Sequence, residues 1–334
     1  MQNIRLIVTG GYGFIGSHFI KLALKNNVEI VNLDKKTYAA NLKIIDNFKN
    51  MSNLTNVIGD ITNSKLVDKL FKEFKPNGII NFAAETHVDN SISSASNFIN
   101  TNILGTHNLL NASVSYLKSN LVNKFRFIQI STDEVFGSLK NSGFFNENSP
   151  ICPRNPYSAT KASADHLVFS WYNTYKLPVI ISNCSNNFGP FQHTEKLIPK
   201  TIKSIINNEM IGIYGNGKNV RDWLYVKDHT LGILNLFKFG KIGERYCIGG
   251  GKELSNIDLV KFVCKIVDKE LKLEHTSEKL INFVDDRPGH DFRYAIDDKK
   301  IRSELSYTNV TSFQKAMYDT VKWYINYFTN QSTN

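Results

Sequence analysis

The sequence predicts an α/β protein: a doubly wound parallel sheet with a smaller C-terminal α/β lobe. Three observations predict it. Short apolar, β-branched runs alternate with stretches of helical periodicity over about the first 185 residues, a glycine-rich turn joins the first run to the first helix, and beyond that point the pattern loosens into shorter elements between turns. The 334 residues are 42% hydrophobic and 21% charged, close to globular averages, which excludes a disordered, collagen-like or disulfide-stapled chain; the length suggests about two domains.

The runs at 4–8, 29–33, 56–58, 78–82, 125–130 and 179–183 read as strands, and helical periodicity covers 14–25, 64–74, 94–117 and 157–175 between them. Strand and helix in strict alternation give parallel strands covered by helices on both faces. Further on, Gly- and Pro-containing turns at 187–190, 215–217, 249–251 and 287–289 separate shorter elements, and 256–269 and 312–328 read as amphipathic helices. In the last of these, Phe313, Met317, Val321, Tyr324, Ile325 and Phe328 fall near helical spacing, as a core face does. The expected organisation is a first domain over 1–185, to which later segments can return, and a second lobe over 186–334.

Lys+Arg 40 against Asp+Glu 30 leaves a formal charge of +10, which favours anionic partners without choosing among nucleic acid, acidic lipid and phosphorylated metabolites. No helix-turn-helix, finger or aromatic-basic sheet signature supports nucleic acid, and no run of about 18 apolar residues supports a membrane span. Cys152, Cys184, Cys247 and Cys264 lie far apart without a C-x-x-C pair, and the histidines lack metal-ligand spacing, so neither a metal nor a disulfide framework is expected. With a strand-like run at the start and no leader pattern, a cytoplasmic, reducing compartment is expected.

The first strand leads into Thr9-Gly10-Gly11-Tyr12-Gly13-Phe14-Ile15-Gly16, which satisfies G-x-G-x-x-G. The glycines permit a tight turn and let a pyrophosphate approach the backbone at the positive end of the next helix, while Gly16 allows that helix to pack on the sheet. Asp34 follows Gly16 by 18 positions, near the roughly 20-residue offset of an acid that holds a ribose diol. Its charge repels a 2′-phosphate and favours NAD over NADP, although the adjacent Lys35 and Lys36 could accommodate that phosphate. Asp60 suits either an adenine contact or a turn before Ile61.

Ser131-Thr132-Asp133-Glu134 closes the fifth strand, and Tyr157, 25 positions after Thr132, shares a helix face with Lys161. An ammonium beside the phenol is expected to lower a pKa of about 10 and make Tyr157 a base near neutrality. Thr132 can hydrogen-bond the oxygen being oxidised. A lone Tyr-x-x-x-Lys is common by chance; behind a dinucleotide loop and a strand-end Ser-Thr it is specific.

With these marks stand TGGYGFIGSH (9–18), TYAANLK (37–43), GDIT (59–62), NFAAETHVDNSI (81–92), TNILGTHNLL (101–110), STDEVFG (131–137), YSATK (157–161), NCSNNFGP (183–190), EKLIPK (195–200), RDWLYVKDH (221–229), SNIDLV (255–260) and DRPGHD (286–291). Over roughly residues 3–328 the chain resembles the dTDP-glucose 4,6-dehydratases, Rossmann-type members of the extended short-chain dehydrogenase/reductase superfamily. Its departures are small: Tyr12, Ala40 and Thr86 stand where Ala, Gly and Ser are common.

The resemblance implies NAD as cofactor, dTDP-glucose or UDP-glucose as substrate, a product of the deoxysugar (rhamnose) type, and a homodimer joined through helices 94–117 and 157–175. It implies that Tyr157, with Lys161, removes the C4 hydroxyl proton as hydride leaves C4, that Glu134 takes the C5 proton, and that Asp133 protonates the departing C6 hydroxyl. Two neighbouring carboxyls can do this if their environments set opposite protonation states. Implied cofactor contacts are Gly10, Gly13, Phe14, Ile15, Gly16, Asp34, Lys35, Lys36, Thr37, Asp60, Ile61, Phe82, Ala83, Ala84, Thr101, Tyr157, Lys161 and Asn187. Implied substrate contacts are Thr86, Thr132, Asn186, Lys196, Leu197, Tyr214, Arg221, Asn256, Asp286, Arg287 and His290, with Lys196 and Arg221 suited to a diphosphate. The alternatives are a 4-epimerase or decarboxylase of the same superfamily, in which the Asp133-Glu134 pair is not found, and a non-catalytic NAD-sensing regulator.

Overall fold

Apolar strands too short to bury themselves must be covered by the helices between them. The computed structural model, which describes residues 4–120, 122 and 124–330, shows how this chain does so. The chain begins with β1 (Arg5–Thr9), α1 (Phe14–Lys25), β2 (Glu29–Asp34), α2 (Leu42–Phe48), β3 (Leu54–Ile58), α3 (Ser64–Phe74), β4 (Gly78–Asn81), α4 (Val88–Ser93) and α5 (Ser96–Phe98). A π-helical turn (Ile99–Gly105), α6 (Thr106–Ser119), β5 (Arg126–Thr132), α7 (Pro156–Tyr175) and β6 (Val179–Cys184) follow. The remainder is β7 (Asn186–Phe188), α8 (Leu197–Ile206), β8 (Ile211–Tyr214), β9 (Val220–Tyr225), α9 (Val226–Phe239), β10 (Glu244–Ile248), β11 (Glu253–Ser255), α10 (Asn256–Leu271), β12 (Ile281–Val284), α11 (Lys299–Leu305) and α12 (Phe313–Thr329).

Seven strands form one parallel sheet in the order β10-β6-β5-β4-β1-β2-β3. On one face, Phe19 and Ile20 of α1 and Ile233 and Phe237 of α9 pack over Leu6 and Ile80; on the other, Val67 and Phe71 of α3, Leu109 of α6 and Val168 of α7 cover Ile7 and Ile79. Residues 226–248 and 299–307 thus pack with the large sheet although they follow residue 185 in sequence. A separate core joins α8, α10 and α12 around Trp223 and Tyr225, beside the small sheets β11-β9-β7 and β12-β8. Phe313 and the buried Met317, Val321, Tyr324, Ile325 and Phe328 all belong to it.

The expected helices over 14–25 and 64–74 are observed over those residues. The single helix expected over 94–117 is not. Ser94 is extended (φ −157, ψ 111), and α5, the π-helical turn and α6 succeed one another instead. A tertiary contact accounts for the irregular turn: Asn102 points inward, its Oδ1 accepting from the Glu85 amide at 2.9 Å and its Nδ2 donating to the Glu85 carbonyl at 3.1 Å and to Thr160 Oγ1 at 2.9 Å.

Candidate functional site

The site forms where β1, β4, β5 and β6 end, so the loops after them converge on one cavity. Gly10, Gly13, Phe14, Ile15 and Gly16 form one wall. Gly10 has φ +72, and a Cβ there would lie 2.8 Å from the Ala83 amide nitrogen, so the turn admits only glycine without strain. Gly13 is the N-cap of α1, and no side chain caps that first turn. Asp34, nearly buried at the end of β2, accepts from the Tyr12 amide at 2.8 Å and the Lys36 amide at 2.7 Å, tying the glycine loop to the second strand. Burial raises its carboxyl pKa, against the pull of those two amides.

Lys35 pairs with Asp60 at 2.8 Å, and Asp60 also accepts from the Thr62 amide at 2.9 Å. Asp60 therefore forms the turn and lines the cavity, together with Thr37, Ile61, Phe82, Ala83, Ala84 and Thr101. Lys36 is the one predicted cofactor contact outside the cavity walls: it sits at φ +57 with its amide on Asp34. An open glycine turn, an uncapped helix start, a strand-end acid and a cleft along them fit a dinucleotide.

At the other end lie Thr132, Asp133, Glu134, Tyr157, Lys161, Asn186 and Asn187. Thr132 caps the short 3-10 turn Asp133–Phe136: its Oγ1 accepts from the Glu134 amide at 3.3 Å and donates to Asp133 Oδ1 at 3.2 Å. Asp133 is 1% exposed, and Asp133 Oδ2 and Glu134 Oε2 are buried without a hydrogen-bond partner among the described residues. Burial, the neighbouring Glu134 and Asp222 raise the Asp133 pKa well above the carboxylate range. Burial, with Asp291, also raises Glu134, and Arg287, Arg221 and Lys196 oppose that rise without cancelling it. The two acids thus share a peptide bond and differ in electrostatic surroundings.

Tyr157 corrects an expectation. Its phenol is raised well above 10 by burial, Glu134, Cys184 and Asp133, with a hydrogen bond to Thr132 opposing them. Lys161 Nζ donates to the Ile130 carbonyl at 2.7 Å, and burial lowers its pKa while Asp165 raises it. In this structure the lysine is directed to the strand, and the phenol stays raised.

The substrate residues divide. Thr86, Thr132, Asn186 and Lys196 line the cavity; Leu197, Tyr214, Arg221, Asn256, Asp286, Arg287 and His290 do not. Lys196 Nζ donates to the Thr86 carbonyl at 3.3 Å. Arg221 is buried over the Tyr294 ring and gives its donors to the carbonyls of Val220, Asp291 and Phe292. Arg287 meets Asp89 at 3.4 Å, Tyr214 donates to the same carboxylate at 3.1 Å, and His290 pairs with Asp286 at 2.6 Å. Leu197 begins α8 and packs on the second core, and the Asn256 amide donates to the Asn219 carbonyl at 2.9 Å.

Sequence reasoning passed over Glu85, Ser131, Cys184, Ser185, Gln192, His193 and Glu195, all on the cavity wall. Most adjoin a residue it named, so their signal was proximity. The Cys184 thiol is pushed up to about 12 by burial and is not a nucleophile. His229 is held near 3 by burial, so it is neutral where it meets Asn187 Oδ1 at 2.9 Å. Among the described residues no group of His, Cys, Asp and Glu could hold a metal, and no helix is long and apolar enough to cross a membrane.

The family model described as GDP-mannose 4,6 dehydratase matches residues 7–320. The chain belongs to this family. It is 44% identical over 331 residues to the dTDP-glucose 4,6-dehydratase of Xanthomonas campestris pv. campestris, covering 98% of this chain and 93% of that one. Among solved structures, the dTDP-glucose 4,6-dehydratase DesIV from Streptomyces venezuelae with NAD and TYD bound is 39% identical, with a TM-score of 0.89 over 97% of each chain. The dTDP-glucose 4,6-dehydratase of Bacillus anthracis in complex with NAD is 38% identical, with a TM-score of 0.86 over 97% of each chain. The doubly wound sheet described above is the fold of this dehydratase family.

Proposed function

We propose that the protein is an NAD-dependent nucleotide-sugar 4,6-dehydratase that converts dTDP-glucose to its 4-keto-6-deoxy product and water. The observation that carries this reading is the Asp133-Glu134 pair, Asp133 buried and Glu134 half-buried, at the end of β5 beside Tyr157 and Lys161 and within the cavity that the glycine loop opens. Gly10, Gly13, Phe14, Ile15, Gly16, Asp34, Asp60, 82–84, Thr101 and Asn187 would hold NAD, which supplies a hydride acceptor at C4 and returns the hydride to C6 without net consumption.

The side chains supply the proton transfers. Tyr157 takes the C4 hydroxyl proton as phenolate, a form that the positive charge of bound NAD would favour against the burial that raises the phenol, while Thr132 hydrogen-bonds the same oxygen. The C4 ketone acidifies the C5 hydrogen, which Glu134 accepts as carboxylate, a form that Arg287, Arg221 and Lys196 support against the burial that raises its pKa. Asp133, kept protonated by burial, gives its proton to the C6 hydroxyl as water leaves. Glu134 then returns its proton to C5, and the proton on Tyr157 balances, through solvent, the one Asp133 gave up. Lys196, Arg221, Arg287 and His290 would receive the diphosphate side of the substrate, Arg287 by exchanging Asp89 for it.

Two copies are proposed to join through α6, α7 and the turn before α6, where Ile99, Leu104 and Tyr175 are 45%, 51% and 51% exposed. Four free cysteines suit the cytoplasm. The deciding experiment incubates the purified protein with NAD and either dTDP-glucose or UDP-glucose and follows product mass. A product one water lighter, formed faster from dTDP-glucose, is expected; a C4-epimerised sugar alone would overturn the reading.

A further inference from the structure

Outside the cavity walls, the end of β5 is held by a buried charge network. Asp165, one helical turn beyond Lys161 on α7, is fully buried. Its Oδ2 accepts from Ser131 Oγ on β5 at 2.9 Å, from Arg245 Nη1 on β10 at 2.9 Å and from Asn183 Nδ2 on β6 at 3.4 Å. Arg245 also donates to Asn183 Oδ1 at 2.5 Å, and Asn183 Nδ2 donates to the Thr132 carbonyl at 2.8 Å. The Phe169 and Phe136 rings flank the guanidinium at 5.3 and 5.7 Å. One carboxylate therefore connects four elements, one of them the strand that the chain adds after its excursion through the second lobe. The same β5 segment receives the Lys161 ammonium at the Ile130 carbonyl.

A buried ion pair is weak evidence for stability, because desolvation offsets the attraction. What this pair fixes is a better guide to its role. We propose that Asp165, clamped by Arg245, is a positioning residue for the reaction: it holds the Ser131-Thr132 strand end and the Lys161 helix turn in mutual register, and this rests on the dehydratase reading above. Charge works in the same direction, since the Asp165 carboxylate favours the ammonium form of Lys161 against its burial. Besides Asp165, Cys184 on β6 also favours the ammonium form of Lys161, and Tyr157 on its own helix and Asp133 and Glu134 past the end of β5 line the same cavity. Arg245 faces Asp165 from β10.

The test compares the wild type with Arg245→Lys, Arg245→Met and the double variant Asp165→Asn with Arg245→Met, each assayed with NAD and dTDP-glucose. Removing Arg245 alone strands a buried charge and can unfold the chain, whereas the double variant removes both charges and is expected to melt near the wild type. In that folded double variant kcat is expected to fall about tenfold to a hundredfold with KM within about twofold. The alkaline limb of its kcat-pH profile is expected to move to lower pH, because Lys161 then releases its proton more easily, and Arg245→Lys is expected to retain most of the wild-type kcat. A double variant with wild-type kcat and pH profile would overturn the proposal and leave the dehydratase reading standing. A folded wild type that releases no water would overturn both.

Discussion

At the scale of single residues, Asp133 lies buried with one carboxylate oxygen unpaired, so its charge would have to coexist with those of Glu134 beside it and Asp222 on β9. Its folded pKa is above its unfolded one, so the folded state keeps a proton that the unfolded state releases. Its contribution to stability is full below about pH 4 and is lost as pH rises toward the folded pKa. Asp133→Asn removes that loss. Thermal melts are expected to show a gain of about 2 °C or more at pH 8 that disappears near pH 4, with water loss abolished at both. Glu134→Gln is likewise expected to block water loss, and in both variants transient reduction of the cofactor persists in stopped-flow absorbance. Reduction lost while water loss continues would mean the roles are misassigned. The pair was legible in the sequence because it is contiguous. Its polarity came from the family resemblance alone, because Arg221 and Arg287 approach Glu134 from distant parts of the chain, and the rise of the Tyr157 phenol, set by burial, Glu134, Cys184 and Asp133, could not be read from Lys161 four residues away.

Elements differ in legibility according to what terminates them. Helices α1 and α3 follow from local signals, the latter with Asn63 as a side-chain cap. The α4 to α6 region is shaped instead by Asn102, whose three hydrogen bonds to Glu85 and Thr160 no periodicity reveals. Asn102→Ala leaves the Glu85 amide and carbonyl without these partners and is expected to cost about 2–4 kcal/mol in denaturant unfolding. Since Glu85 and Thr101 line the cavity, NAD affinity should fall with it. The glycine loop offers the converse case, in which sequence and structure agree. A Cβ on Gly16 would lie 2.4 Å from the Gly10 carbonyl oxygen, a backbone atom with little room to yield. Gly16→Ala should therefore lose NAD affinity about tenfold or more by titration calorimetry, while its circular dichroism stays that of a folded α/β protein.

For the whole molecule, the architecture was legible up to residue 185, where alternation is strict, and less so beyond it, where β7, β11 and β12 are too short for periodicity to mark. That α9 and β10 return to the large sheet is a long-range event, and it lets the Arg245 side chain reach Asp165 on α7 and Asn183 on β6, which in turn bond Ser131 and the Thr132 carbonyl at the end of β5. The formal charge of +10 divides in the same way: Lys196, Arg221 and Arg287 gather around Glu134, and much of the rest stands on the surface. The surface also bears the apolar side chains Ile99, Leu104 and Tyr175, and near them Trp171, whose ring meets His107 and Tyr175 at 5.5 and 5.4 Å. If two copies cover this face, each buried apolar side chain contributes on the order of 1.5–3 kcal/mol, and a charge at its centre opposes association strongly. Leu104→Glu is expected to shift the light-scattering mass from two chains to one at micromolar concentration with the circular dichroism unchanged, and a wild type that scatters as a single chain would remove the dimer. Because Leu104 shares its π-helical turn with Thr101 on the cavity wall, the separated variant is also expected to bind NAD more weakly, and titration of that variant checks whether pairing supports the site.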